Sequence, residues 1–280
     1  MPLVTAKQML LDAQRGQYAV GAFNIENMEM AQAVIEAAEA TGSPALLATT
    51  PSTVRYAPPE VFSAMVGALA ARSRAEVALH LDHGNSLDLV AQALAAGYTS
   101  LMMDGSALDF EQNVAVTRRA VDIAGGRAPV EGELGRVGGK EDDLQAAACA
   151  NTDPEQAAEF VRRTGVDSLA VGIGTAHGFY AKAPVLDKAR LSEIRAAVAV
   201  PLVLHGASGL SDEDVRDCIA RGICKVNFAT ELRVAYTGGV GQALREDPDL
   251  FDPKALGAAG KRRVKELAIA KMTLCARIRT

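Results

Sequence analysis

The run VALHLDHG at positions 77–84 decides how the chain reads. Its first half is a short apolar stretch suited to a buried strand, and its second half sets Asp82 and His83 where that strand ends. Seven other stretches have the same form: YAVGAF (18–23), PALLAT (44–49), SLMMD (100–104), PVEGEL (129–134), SLAVGI (168–173), PLVLH (201–205) and ICKVNF (223–228). Helical patterns lie between them. Residues 27–41 carry Met30, Val34, Ala37 and Ala38 at helical spacing, and 58–73 carry Val61, Met65, Ala68 and Leu69. Segments 86–96, 109–124, 154–164, 188–198 and 211–221 continue the series. Ser86, Asp109, Asp153 and Ser211 mark helix starts, and Gly42, Gly97, Gly165 and Gly222 follow helix ends. Eight strand-then-helix units predict an α/β fold, a closed (β/α)8 TIM barrel, as one domain over 1–280 with an extra C-terminal helix at 253–277. An open doubly wound sheet would want G-x-G-x-x-G after its first strand, where this chain has GAFNIEN.

Composition fits that reading and excludes others. Of 280 residues, 49% are hydrophobic and 22% charged, so disorder and collagen are excluded. Aromatics are 4% with no Trp, which leaves the core to Ala, Val, Leu and Ile. A net charge of −5 argues against nucleic-acid binding through bulk electrostatics, while a small anionic substrate needs only local donors. The cysteines Cys149, Cys218, Cys224 and Cys275 show no C-x-x-C spacing and read as buried small hydrophobes in a reducing compartment. The start MPLVTAKQMLLDAQRG lacks the layout of a secretory signal, and no stretch approaches the roughly 18 apolar residues of a membrane span. A soluble, cytoplasmic protein is expected.

In a barrel of this kind active sites form where strands run into the following loops. Asn24, Asp82-His83, Asp104-Gly105-Ser106, Glu133, His177-Gly178, His205-Gly206 and Asn227 all stand at such points. The chain has four histidines. Three of them, His83, His177 and His205, are far apart in sequence, and the barrel would bring them to one rim as a three-ligand divalent site with a position left for water or substrate. His80 falls inside its strand and reads as a barrel-interior or supporting group. HGASGL (205–210) and NFAT (227–230) precede helices with small residues that let backbone N–H groups approach a phosphate. The loop GRVGGKEDDLQ (135–145) is glycine-rich and acidic, and reads as a lid carrying Glu141, Asp142 or Asp143 to the site. The basic tail, 261–280, reads by default as a solvated helix face.

LHLDHG (79–84), SLMMDGS (100–106), VEGELGRVGGKEDD (130–143), GVDSLAVGIGTAHGFY (165–180), LHGASGL (204–210) and KVNFATELR (225–233) together resemble the successive signatures of class II, metal-dependent ketose-bisphosphate aldolases. The likeness is to the shorter-chain fructose/tagatose-bisphosphate branch and runs over about 1–245. It implies Zn2+ on His83, His177 and His205, with Asp104 and Glu133 offering an alternative metal position. It implies Asp82 as acid/base at the C4 hydroxyl and Glu141 as the group that moves the C3 proton of dihydroxyacetone phosphate. Asn24 would hydrogen-bond substrate. Gly178, Gly206, Ala207, Ser208, Asn227, Phe228, Ala229 and Thr230 would hold the dihydroxyacetone phosphate end beside a monovalent cation, Na+ or K+. Where the family commonly has Gly this chain has Ala207, and its CARIRT ending departs from the family's, so Arg277 or Arg279 is expected at the distal phosphate. The resemblance implies reversible cleavage of fructose 1,6-bisphosphate or tagatose 1,6-bisphosphate to dihydroxyacetone phosphate and glyceraldehyde 3-phosphate, in a homodimer or homotetramer. The rivals are a relative acting on another ketose phosphate, a metal-dependent sugar-phosphate epimerase or isomerase, a Schiff-base aldolase using Lys225, and a non-catalytic sugar-phosphate sensor.

Overall fold

A computed structural model describes residues 3–141, 144–146, 150–178, 180 and 184–276. Eight parallel strands close a barrel: β1 (Val20–Asn24), β2 (Ala45–Thr49), β3 (Val77–Gly84), β4 (Ser100–Met103), β5 (Val130–Leu134), β8 (Ser168–Val171), β10 (Leu202–Leu204) and β11 (Ile223–Phe228). Around the ring they run β1-β11-β10-β8-β5-β4-β3-β2. Those strands are buried on both faces, which explains why they read as continuous apolar runs rather than alternating ones.

The surrounding helices are α2 (Met28–Thr41), α3 (Pro51–Tyr56), α4 (Pro59–Ala71), α5 (Leu87–Ala96), α6 (Phe110–Ala124), α7 (Pro154–Thr164), α8 (Lys188–Ala197), α9 (Asp212–Ala220) and α10 (Thr230–Glu246). Ser86, Asp109, Asp153 and Ser211 accept backbone N–H groups as N-caps, as their residue types predict. Helix α1 (Ala6–Gly16) packs Met9, Leu10 and Ala13 with Val20, Ala22, Leu46 and Ala78, closing the barrel end away from the loops that follow the strands. The expected C-terminal helix is α11 (Pro253–Cys275), seated on α2 and α10.

One departure bears on function. The acidic segment expected as a loop forms strands β6 (Gly138–Glu141) and β7 (Leu144–Ala146), an antiparallel pair. β6 also pairs in parallel with β9 (Ala176–His177), so Gly139 lies opposite His177. No helix among the described residues is long and apolar enough to cross a membrane.

Candidate active site and metal centre

Along a strand, consecutive side chains face opposite ways, so Asp82 and His83 should not share a site. They do, because the β3–β4 register shifts between Leu81 and Gly84, and His83 adopts a left-handed φ of 49°. This bulge turns the His83 ring back over the barrel mouth. Gly84 permits it: a Cβ there would stand 2.3 Å from the Met102 carbonyl oxygen.

The three predicted ligands come together. One ring nitrogen from each of His83, His177 and His205 lies within 4.8 Å of the others. His83 Nδ1 is 2.8 Å from Asp104 Oδ2, which leaves Nε2 toward the other rings. His205 has the opposite arrangement, with Nε2 2.9 Å from Glu131 Oε1 and Nδ1 3.0 Å from His83 Nε2. The two inward nitrogens thus face each other, each ring held from behind by a carboxylate. His83, Asp104 and Glu133 form a second group within the same 4.8 Å span. Glu133 Oε2 is buried without a hydrogen-bond partner among the described residues, 3.8 Å from His83 Nδ1.

Asp82 is buried beside these rings. Asn24 Nδ2 donates to its Oδ2 and Asn227 Nδ2 to its Oδ1, each at 2.9 Å. The carboxamide oxygens of both asparagines are buried and unpartnered among the described residues, which leaves two acceptors for ligand hydroxyls.

The electrostatics favour a cation. Burial alone would raise the Asp82 carboxyl, but His83, His205 and Lys225 outweigh it and hold it well below the usual range. Burial would lower His83, yet Asp82 and the Asp104 hydrogen bond drive it well above ordinary imidazole. Burial, then the fields of His83 and His205, push His177 well below. Burial also lowers His205, against the pull of Glu131. Glu133 is raised well above the carboxylate range by burial and by Asp104. A field that keeps positive charge on one imidazole while its neighbours stay neutral suits a divalent ion as well as a proton. The donor set, imidazole with carboxylate, therefore fits a metal of the zinc type.

Beyond these candidate ligands the site opens in two directions. A cavity of about 540 Å³ extends over β3, β4 and β5, lined by Asn85, Ser106, Leu108, Val116, Arg136 and Val137 as well as His83, Asp104, Glu133 and His177. In the ring β10 stands across from β3 and β11 across from β4, and on that side the expected phosphate segments lie together. Gly206 and Gly178 are left-handed, Ala207 and Ser208 are buried, and Asn227–Thr230 leads into α10. Tyr180 Oη donates to the Gly206 carbonyl at 2.7 Å and accepts from Ala176 N at 2.8 Å, tying these segments together. Lys271 Nζ lies 5.2 Å above the Phe228 ring and 2.6 Å from Glu231 Oε2.

The Glu141 side chain, Asp142, Asp143, Arg277 and Arg279 lie outside the described residues. Lys225 is no free nucleophile: it is wholly buried, 2.8 Å from Glu131 Oε2 and 3.1 Å from His80 Nε2. The sequence reading missed Glu131 and Tyr180. Glu131 had a signal, since it stands two residues before Glu133 on one strand and so shares its face.

Solved structures of similar chains share this fold. The YdjI aldolase from Escherichia coli K12 is 39% identical, with a TM-score of 0.85 and 98% of each chain covered. A Coccidioides immitis structure assigned as a fructose-1,6-bisphosphate aldolase is 30% identical, with a TM-score of 0.88, covering 97% of this chain and 96% of that one. The fructose-bisphosphate aldolase of Campylobacter jejuni, 19% identical, shares the fold at a TM-score of 0.83, covering 98% of this chain and 95% of that one. The family model for class II fructose-bisphosphate aldolases matches residues 4–278. With nearly its whole length matched, the chain belongs to the class II fructose-bisphosphate aldolase family and is a lyase.

Proposed function

We propose that the protein catalyses reversible, Zn2+-dependent aldol cleavage of fructose 1,6-bisphosphate or tagatose 1,6-bisphosphate, giving dihydroxyacetone phosphate and glyceraldehyde 3-phosphate. The family is in general metal-dependent and acts on phosphorylated sugars. The observation that carries the reading is the meeting of His83, His177 and His205 nitrogens beside an Asp82 carboxylate held by two asparagines.

His83 Nε2, His205 Nδ1 and His177 would hold the metal, and His83 Nδ1 with Asp104 and Glu133 would offer it a second position. When bound there, the metal supplies Lewis-acid polarisation of the ketose carbonyl. Asp82 takes the C4 hydroxyl proton as the C3–C4 bond breaks, and Asn24 and Asn227 keep its oxygens aimed. Glu141, brought in on the β6–β7 hairpin, returns a proton to C3 of the dihydroxyacetone phosphate half. Gly178, Gly206–Ser208 and Asn227–Thr230 hold that half's phosphate through backbone N–H groups and the start of α10, with Na+ or K+ beside it. Arg277 or Arg279 takes the distal phosphate. The unit that does this is the single domain 1–280, in a cytoplasmic homodimer or homotetramer.

The test is triose-phosphate release, followed through a coupled assay on both hexose bisphosphates before and after metal stripping. Stripping should abolish release and Zn2+ should restore it, while His83→Ala, His177→Ala and His205→Ala should each lose metal and activity together. Full activity in the stripped protein, or borohydride trapping at Lys225, would overturn the proposal.

A further inference from the structure

Barrel interiors of this architecture are normally filled by branched apolar side chains. Here three ionisable groups stand beneath the site. His80, Glu131 and Lys225 each precede a site residue on the same strand by two positions: Asp82, Glu133 and Asn227. All three are essentially inaccessible to solvent. Lys225 Nζ donates to Glu131 Oε2 at 2.8 Å and lies 3.1 Å from His80 Nε2, whose Nδ1 is 2.8 Å from Ser100 Oγ. The remaining Glu131 oxygen, Oε1, meets His205 Nε2 at 2.9 Å. No side-chain oxygen or nitrogen of His80, Ser100, Glu131 or Lys225 is buried without a partner.

Such a cluster has no obvious use as a stabiliser. Replacing a buried ion pair by well-packed apolar residues is often neutral or favourable, because desolvation offsets the attraction. Its geometry has a direction instead. Lys225 is only a donor, so it points Glu131 Oε2 downward and leaves Oε1 for the one ring above it. A carboxylate only accepts, so His205 must present Nε2–H to it. The lone pair is then on Nδ1, the nitrogen that faces His83.

We propose that Glu131 is a positioning residue, oriented by Lys225 and His80, that fixes the ring and tautomer of His205 so that Nδ1 is the metal-facing nitrogen. The inference rests on the metal reading of the three histidines.

Glu131→Gln makes the test sharp. Lys225 would claim the new amide's oxygen, which turns its NH2 toward His205 Nε2 and forces the proton onto Nδ1. Adding Lys225→Met frees the amide to rotate and accept from Nε2–H again. Glu131→Leu with Lys225→Met removes both charges without leaving an acceptor.

Histidine nitrogens are observed by ¹⁵N NMR in metal-free protein, and Zn2+ affinity is measured by competition with a chromophoric chelator. Wild type should show Nε2–H at His205. Glu131→Gln should switch it to Nδ1–H and weaken Zn2+ binding roughly 10–100-fold. The Gln/Met pair should regain the tautomer and most of the affinity. The Leu/Met pair should fold, lose the single tautomer and bind Zn2+ weakly. Nδ1–H in wild type overturns the proposal, as does wild-type Zn2+ affinity in the Leu/Met pair; neither depends on Glu131→Gln folding. If His205→Ala keeps wild-type Zn2+ affinity, it is the metal reading that fails, and the tautomer measurement on metal-free protein stands apart from it.

Discussion

Asp82 and Glu141 are assigned to different proton transfers, so removing one should spare the half-reaction that needs the other. Asp82→Asn keeps the shape but loses basicity and one of the two asparagine hydrogen bonds, since its amide nitrogen cannot accept, and ketose cleavage should fall by roughly 10²–10⁴. Solvent exchange of the C3 proton of dihydroxyacetone phosphate should persist in that variant. Glu141→Gln should nearly abolish exchange and slow turnover. Loss of exchange in Asp82→Asn as complete as in Glu141→Gln would break the assignment. The cysteines give a second prediction at this scale. Burial pushes the thiols of Cys218 and Cys275 up to about 12 and that of Cys224 to about 11. Mass spectrometry after alkylation of native protein at pH 8 should find all three unmodified, and all three labelled once the chain is unfolded. At this scale the sequence was readable where a residue type met a strand end, as with His177, His205 and Asn227. It was silent on why Asp82 and His83 share a site, since the answer is a backbone bulge that alternation forbids. Glu131 was missed although its place two residues before Glu133 was a signal, because a charge on a buried strand has no visible partner until Lys225 arrives from across the barrel.

Among the elements, the eight barrel strands were legible because both faces are buried, and apolar runs between capped helices have few other readings. The β6–β7 hairpin was not. GRVGGKEDDLQ has no apolar run, and its strand character comes from pairing with a segment that follows in the chain after α7. That pairing makes Gly139 a critical point. Its φ is +87°, and a Cβ would stand 2.2 Å from the His177 carbonyl oxygen. Gly139→Ala should force β6 and β9 apart and displace His177. Misplacing a reacting group by about 1 Å can cost on the order of 10²-fold in rate, and a loss of that size is expected here. Zn2+ affinity should fall with it, while circular dichroism stays that of the intact barrel. Unchanged affinity and turnover would show that the pairing does not hold His177.

For the molecule as a whole, the proposed metal belongs only to the folded state, because the chain gathers its three histidines from β3, β9 and the end of β10. A ligand present at a thousand times its Kd stabilises by about 4 kcal/mol. Stripping the metal should therefore lower Tm, by on the order of 10 °C for a chain of this size. His83→Ala should show the lower Tm with or without Zn2+, and a chelator-insensitive Tm in wild type would contradict the proposal. The ladder from Gly139 to His177 has a wider consequence, since one hairpin both carries Glu141 and braces a proposed metal ligand. Whatever draws that hairpin inward also steadies His177, and whatever steadies His177 favours the hairpin's inward state. Linkage makes the two effects equal. The proposed ketose and ion would then be mutual effectors: each should tighten the other's binding, so the enzyme would hold its metal least tightly when idle.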